Sequence, residues 1–279
     1  MPIYQPKELH AFLNAIDAFP KKRLSQNFLV DGNIVRKILV EAQVSKDDTV
    51  LEIGPGPGAL TEALIETGAR VIAVEKDSLF ARHLARFQPS SDEQLHVICN
   101  DILQVDLPSL DRKIKIIGNL PYHITTPILS KFLSKDGSRI ESLTFMVQDE
   151  VAKRVVARPK TEDYSSLTVF LNFYAEVKYA FKVSKSCFYP IPGVDSAIIS
   201  LKPKPIPSHI AVDAFFEMTR RAFQMRRKTL KKSLRELYSE EVLLTALEAT
   251  GLTLFTRPEE LSVEQFLLFF HHLQKNYCL

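Results

Sequence analysis

Residues 49–67 read TVLEIGPGPGALTEALIET. TVLEI is an apolar, β-branched run of strand length, and ALTEALIET spaces its apolar positions as a helix does. Between them stand Gly54, Gly56 and Gly58. The chain has only nine glycines in 279 residues, so three within five positions mark a turn where backbone approaches a ligand at a helix N-terminus. Gly54-x-Gly56-x-x-Ala59 fits the GxGxxG/A pattern of nucleotide-binding strand–turn–helix units. Glu75 follows Gly54 by 21 positions, near the ~20 expected of an acid that holds ribose hydroxyls. The stretch therefore predicts an adenosine-bearing cofactor rather than a plain tight turn. It does not choose between NAD and S-adenosylmethionine, since both carry adenosine.

Downstream the alternation continues. ARVIAVEKD (69–77) reads as a strand and SLFARHLARF (78–87) as a helix. HVICND (96–101) and KIKIIGN (113–119) are strands, TTPILSKFLS (125–134) a helix and SLTFMVQ (142–148) a strand. Val- and Ile-rich strands alternating with amphipathic helices predict a parallel sheet covered on both faces. FYAEVKYAFKV (173–183) and SAIISLKP (196–203) read as two closing strands, an antiparallel pair. KPKPIPSH (202–209) is a proline-rich linker, and the rest reads helical. Phe216, Phe223, Leu230, Leu234 and Leu237 share one helical face if that segment is continuous. The expected fold is α/β, a Rossmann-like domain over residues 1–204 with a small all-α domain over 205–279.

Composition is that of a globular protein, 46% apolar and 25% charged. No apolar run reaches the ~20 residues that span a bilayer, so no membrane partner is expected. The N-terminus lacks the order of a secretory signal. Three scattered cysteines form no CxxC pair and no metal pattern, so a cytoplasmic location and no metal are expected. Net charge is only +3, yet MTRRAFQMRRKTLKKSLR (218–235) holds eight Lys and Arg and no acid. Lys21, Lys22 and Arg23 form a smaller cluster. Such concentration predicts a polyanion met on one surface.

The strand at 113–119 ends in Asn119-Leu120-Pro121-Tyr122. Pro121 stops ladder pairing and stiffens the turn. The Asn119 side-chain carbonyl and the Leu120 backbone carbonyl can each accept from an exocyclic amine, and Tyr122 offers a face for a base. That set suits an adenine N6, whose lone pair is spread into the ring. Asp101 ends another strand on the same edge, as a helix cap or a contact to an adenine amine. CFYPIPGVDS (187–196) puts Phe188 on a proline-stiffened loop, where it could close on the other face of a flipped base or pack in the core.

Together SQNFLVD (25–31), LEIGPGPGALT (51–61), VIAVEKD (71–77), CND (99–101), GNLPY (118–122), MVQDEVAKRV (146–155), FYPIPGVDSA (188–197) and RRKTL (226–230) resemble the bacterial small-subunit ribosomal RNA adenine dimethyltransferases, the KsgA type. The resemblance covers roughly Arg23 to Leu234. It implies S-adenosylmethionine as cofactor. It implies dimethylation of N6 on two adjacent adenosines near the 3′ end of small-subunit RNA, with the immature small subunit as partner and a monomeric enzyme. By motif, Asn27, Leu29 and Gly54 line the cofactor pocket, Glu75 holds the ribose and Asp101 the adenine. Asn119, placed at both cofactor and substrate, and Leu120 address the target amine. Tyr122 and Phe188 sandwich the base. Arg226, Arg227, Lys228 and Lys231 contact RNA phosphates. Ser25, His123 and Ser165 depart from the family pattern. The competing readings are a large-subunit RNA methyltransferase, a DNA adenine methyltransferase, a non-enzymatic RNA-binding assembly factor and, weakest, a dehydrogenase.

Overall fold

The computed structural model describes residues 2–21, 24, 26–88, 94–121, 124–208 and 210–275. The chain forms two compact units, Met1–Ala152 with Ala175–Lys204, and Lys153–Tyr174 with Pro205–Leu279. The first unit contains α1 (Pro6–Ala15), β1 (Phe28–Leu29), α2 (Gly32–Glu41), β2 (Thr49–Ile53), α3 (Ala59–Glu66), β3 (Arg70–Glu75), α4 (Ser78–His83), β4 (Leu95–Cys99), β5 (Ile114–Asn119), α5 (Thr125–Ser130) and β6 (Ile140–Gln148). The chain crosses to the second unit within α6 (Asp149–Val155), forms α7 (Ser166–Tyr174), and returns for β7 (Ala175–Val183), β8 (Phe188–Tyr189) and β9 (Ser196–Pro203). It then ends in α8 (Val212–Gln224), α9 (Leu230–Leu234), α10 (Glu240–Ala249) and α11 (Val263–Lys275).

Seven strands pair in the order β4-β3-β2-β5-β6-β9-β7. β2 through β6 are mutually parallel, and β9 and β7 close the sheet antiparallel, as the alternation predicts. The chain runs from β2 outward through β3 and β4, then returns to the other side of β2 with β5. This reversal makes the carboxyl ends of β2 and β5 a topological switch point, where open α/β sheets bind ligands. β2 and β5 can lie this close because residue 118 is glycine. A Cβ there would sit 2.7 Å from the Ile53 carbonyl oxygen.

The turn after β2 is held from several sides. Gly58 caps α3 with φ 97°, and a Cβ on it would meet the Phe87 ring at 2.3 Å. Arg86 donates to the Pro57 carbonyl, and its guanidinium lies between the rings of Phe12 and Phe87. Inside, Glu52 of β2 is 1% exposed. Its Oε2 accepts a 2.7 Å bond from the Thr61 hydroxyl of α3, and its Oε1 has no partner among the described residues. Burial raises its pKa to about 8 against the opposing Thr61 bond, and the Glu75 carboxylate adds repulsion.

Expecting residues 1–204 and 205–279 as two contiguous domains needs a correction, because 153–174 belong to the helical unit. The cause is aromatic packing that spans the sequence gap. Phe173 stacks on Phe215 at 5.2 Å, Tyr174 stacks on Phe216 at 5.5 Å, and the buried Tyr164 hydroxyl donates to the Leu261 carbonyl. The helical segment is also not continuous. α8 ends at Gln224, and Thr229 caps α9 through its hydroxyl, so the face drawn from Phe216 to Leu237 is broken at 225–229.

Two expectations follow. The folded protein holds a proton on Glu52 that the unfolded chain releases above about pH 4.5. Its contribution to stability therefore declines as pH rises from there through about 8, by at most about 1.4 kcal/mol per pH unit. Glu52→Gln removes this titration. Urea unfolding between about pH 5 and pH 8 should show a wild-type decline that is shallower in the variant, where the raised Glu75 carboxyl still titrates. In the second unit, Arg226 bonds Glu259 at 2.7 Å and the carbonyls of Thr161 and Glu162. Arg226→Ala should cost about 1–2 kcal/mol locally, read as faster amide exchange across residues 158–164 with little change in the first unit.

Candidate cofactor and adenine site

At the switch point a cavity of ≈ 160 Å³ opens, entirely within the first unit. Asn27, Leu29, Gly54, Glu75, Asp101, Asn119 and Leu120 all line it. Residues 54, 75, 101 and 119 are far apart in sequence, and each lies at or just past the carboxyl end of β2, β3, β4 or β5, whereas Asn27 precedes β1 of the separate β1–β8 ribbon. Apolar walls come from Ile53, Leu60, Val74, Ile102 and Met146.

Glu75 is buried, and its two oxygens accept from the Gly56 amide at 2.8 Å and the Asp77 amide at 2.7 Å. The carboxylate thus shapes the glycine turn. Burial pushes its pKa up, while those amide bonds pull the other way. Each oxygen keeps a lone pair for a further donor such as a ribose hydroxyl. Asp101 does two jobs. Its Oδ2 pairs with Lys76 at 2.7 Å and its Oδ1 caps the following turn through the Leu103 amide. The Lys76 bond, then the Leu103 amide, hold its carboxyl below the usual range.

The Asn119 side-chain nitrogen donates to the Asn27 carbonyl at 3.0 Å. That bond orients the amide and leaves Oδ1 as its acceptor. The Leu120 amide still bonds the Met146 carbonyl at 3.0 Å, so the ladder runs one residue past β5 before Pro121 ends it. Tyr122 and His123 lie outside the described residues, as does Ser25. Phe188 departs from its expected place. It is 2% exposed, pairs across from Leu29 in the β1–β8 ribbon, and packs in the core rather than lining the cavity. The exposed ring of that loop is Tyr189, edge-on to His10 at 4.3 Å.

Several site residues were not read from the sequence. Ile3 and Leu9, which flank and begin α1, line the cavity, as does Glu52. The signal for α1 is Pro6 at its first turn with Leu9 and Leu13 four apart. Lys21, expected to meet a polyanion, instead bonds Asp77 at 2.7 Å, and Gln26 bonds the same carboxylate, which pins the segment before β1. Lys22 and Arg23 lie outside the described residues.

The four expected phosphate contacts divide. Arg226 is committed to Glu259 and two carbonyls, and Lys231 pairs with Glu240 at 2.5 Å. Arg227 and Lys228 are exposed on the turn between α8 and α9, with no ion pair among the described residues. Ser165, where the family pattern has glycine, opens α7. Its amide donates to the Thr168 hydroxyl at 3.1 Å and its carbonyl accepts from Val169. Among the described residues no group of three His, Cys, Asp or Glu could hold a metal ion, and no helix is long and apolar enough to cross a membrane.

The donor set fits S-adenosylmethionine. There are carboxylates for ribose and adenine, an apolar floor, and an unpartnered buried Glu52 oxygen beside a cavity that would receive a cationic group. The model for ribosomal RNA adenine dimethylase matches residues 19–275. The chain is 51% identical to ribosomal RNA small subunit methyltransferase A of Protochlamydia amoebophila, over 98% of both chains. It is 47% identical to the protein of that name from Chlamydia muridarum, over 96% of this chain and 97% of that one. A dimethyladenosine transferase from Plasmodium falciparum superposes with a TM-score of 0.80 at 26% identity, covering 90% of this chain and 98% of that one. The 23S rRNA methyltransferase ErmE superposes at 0.69 with 29% identity, over 89% and 100%. With the glycine turn and Asn119 lining one cavity at the switch point, and with these matches over nearly its full length, the chain belongs to the ribosomal RNA adenine dimethylase family, whose members are S-adenosylmethionine-dependent methyltransferases.

Proposed function

We propose that this enzyme dimethylates N6 of two adjacent adenosines near the 3′ end of small-subunit ribosomal RNA, acting as a cytoplasmic monomer on the immature small subunit. The observation that carries the reading is Asn119 at the end of β5, its amide oriented by Asn27 beside the glycine turn. Small-subunit RNA is favoured over large-subunit RNA by relatives at 43–51% identity that are all named for the small subunit. The two free described cysteines support a reducing compartment.

Bound S-adenosylmethionine supplies a methyl group on a cationic sulfur. The chain supplies position and charge. Asn119 Oδ1 and the Leu120 carbonyl accept from the adenine amine and favour a more tetrahedral, nucleophilic nitrogen. As the nitrogen gains the methyl group it releases a proton, so no strong base is needed beforehand. Glu75 and Asp101 hold the ribose and adenine of the cofactor, and Tyr122 stacks on the target base. Phe188, packed behind Leu29, acts as support for the pocket wall rather than as a second face of the sandwich. In the helical unit, Arg227 and Lys228 meet RNA phosphates, while Arg226 and Lys231 hold the unit together.

Asn119→Ala should bind S-adenosylmethionine within a few-fold of wild type by calorimetry and lose about 10²–10³ in transfer. The assay is labelled cofactor with undermethylated small subunits, large subunits or DNA, followed by mapping of the modified base. Label confined to large-subunit RNA or DNA overturns the assignment. Reversing Arg227 and Lys228 together should weaken RNA binding and lower its salt slope by about two, with cofactor affinity unchanged. An unaltered slope removes their phosphate role.

A further inference from the structure

Phe255 is 82% exposed, more than any other large apolar side chain described in the protein, and its neighbour Leu254 is 50% exposed. It stands on a turn built to hold it out. α10 is closed by Gly251 in the left-handed region at φ 67°, with the Leu252 amide bonded back to the Leu247 carbonyl. Beyond it, Thr253 and Thr256 bracket the tip. The Thr253 amide donates to the Thr256 hydroxyl at 2.9 Å, the Thr256 amide to the Thr253 carbonyl at 3.1 Å, and the Phe255 amide to the Thr253 hydroxyl at 3.3 Å. A ring on so closed a turn loses little freedom when it meets a partner.

The turn is also placed by charge. The Leu230 amide donates to the Thr256 carbonyl at 2.8 Å, which fastens the tip to the start of α9, two residues after Lys228 and three after Arg227. Arg257, two residues past Phe255, is exposed as well. The nearby acids are engaged. Glu259 pairs with Arg226, Glu240 pairs with Lys231, and Glu260 accepts from the Arg257 amide. An exposed aromatic beside exposed cations, with the local carboxylates occupied, matches what an unpaired nucleotide requires: a flat face for the base and positive charge for its phosphate. We propose that Phe255 is a stacking platform for an unpaired base of the RNA substrate, in the helical unit and separate from the methyl-transfer site. The proposal rests on the small-subunit RNA reading and adds a contact to it.

The chain contains no tryptophan, so Phe255→Trp installs a single fluorophore at the tip. With deproteinised, undermethylated small-subunit RNA, Phe255→Trp should bind as wild type does and its emission should fall on saturation. Phe255→Ala should bind about 5- to 100-fold more weakly with an unchanged salt slope, because stacking releases no counterions. Phe255→Leu, which keeps apolar bulk without a ring face, should be nearly as weak. Its comparison with Phe255→Trp keeps the test valid if the alanine variant folds poorly. Alanine and leucine variants that bind as wild type, or tryptophan emission that does not respond, overturn the platform. A loss seen only with assembled subunits and not with bare RNA makes the partner a protein and also overturns it. Wild-type methyl transfer on undermethylated small subunits separates the two levels. Normal transfer with an unaffected Phe255→Ala removes the stacking contact alone, whereas no transfer to these subunits removes the substrate reading as well.

Discussion

The contact between Gly118 and the backbone of Ile53 is the constraint that sets the site. β2 and β5 run side by side so closely that a methyl group at 118 would press on the Ile53 carbonyl. This approach brings the Asn119 backbone oxygen within 3.8 Å of where a Cβ on Gly54 would stand. Gly54 and Asn119, 65 positions apart in sequence, thereby share one cavity. Three further contacts in the first unit brace that meeting. Glu75 ties the glycine turn to β3, Arg86 ties it to α1 and the 84–87 turn, and Asn27 fixes the amide of Asn119.

The carboxylates around the cavity are differentiated by their partners. Asp101 has Lys76 and stays ionised easily. Glu75 has two backbone amides and little solvent. Glu52 has one hydroxyl and an orphan oxygen, so burial dominates and its pKa rises to about 8. Raising the most buried of these acids lessens the negative charge gathered in a dry site.

The helical unit pairs some of its positive charges internally and leaves others exposed. Arg226 and Lys231 are spent on carboxylates and carbonyls within the unit, and Arg226 in particular clamps the inserted 153–174 segment. Arg227 and Lys228, on the turn between two helices, stay free of such partners. A linear count of basic residues cannot separate these roles, because the acids that neutralise Arg226 and Lys231 lie 33 and nine residues away.

Much of this protein was legible in one dimension. The strand–glycine–helix unit, the parallel order of strands and the placement of Gly54 and Glu75 beside one cavity depend on local periodicity and on spacings within one βαβ unit, which sequence records directly. The burial of Phe188 opposite Leu29, the recruitment of residues 153–174 into the helical unit, the α1 wall of the cavity and the raised pKa of Glu52 were decided by tertiary structure. Each is set by which surfaces meet, and burial and pairing are properties of neighbours far along the chain. The sequence by itself determined what kind of site this is. Only the packing of distant segments decided which side chains reach it and which hold the others in place, because desolvation and ion pairing depend on distance in space.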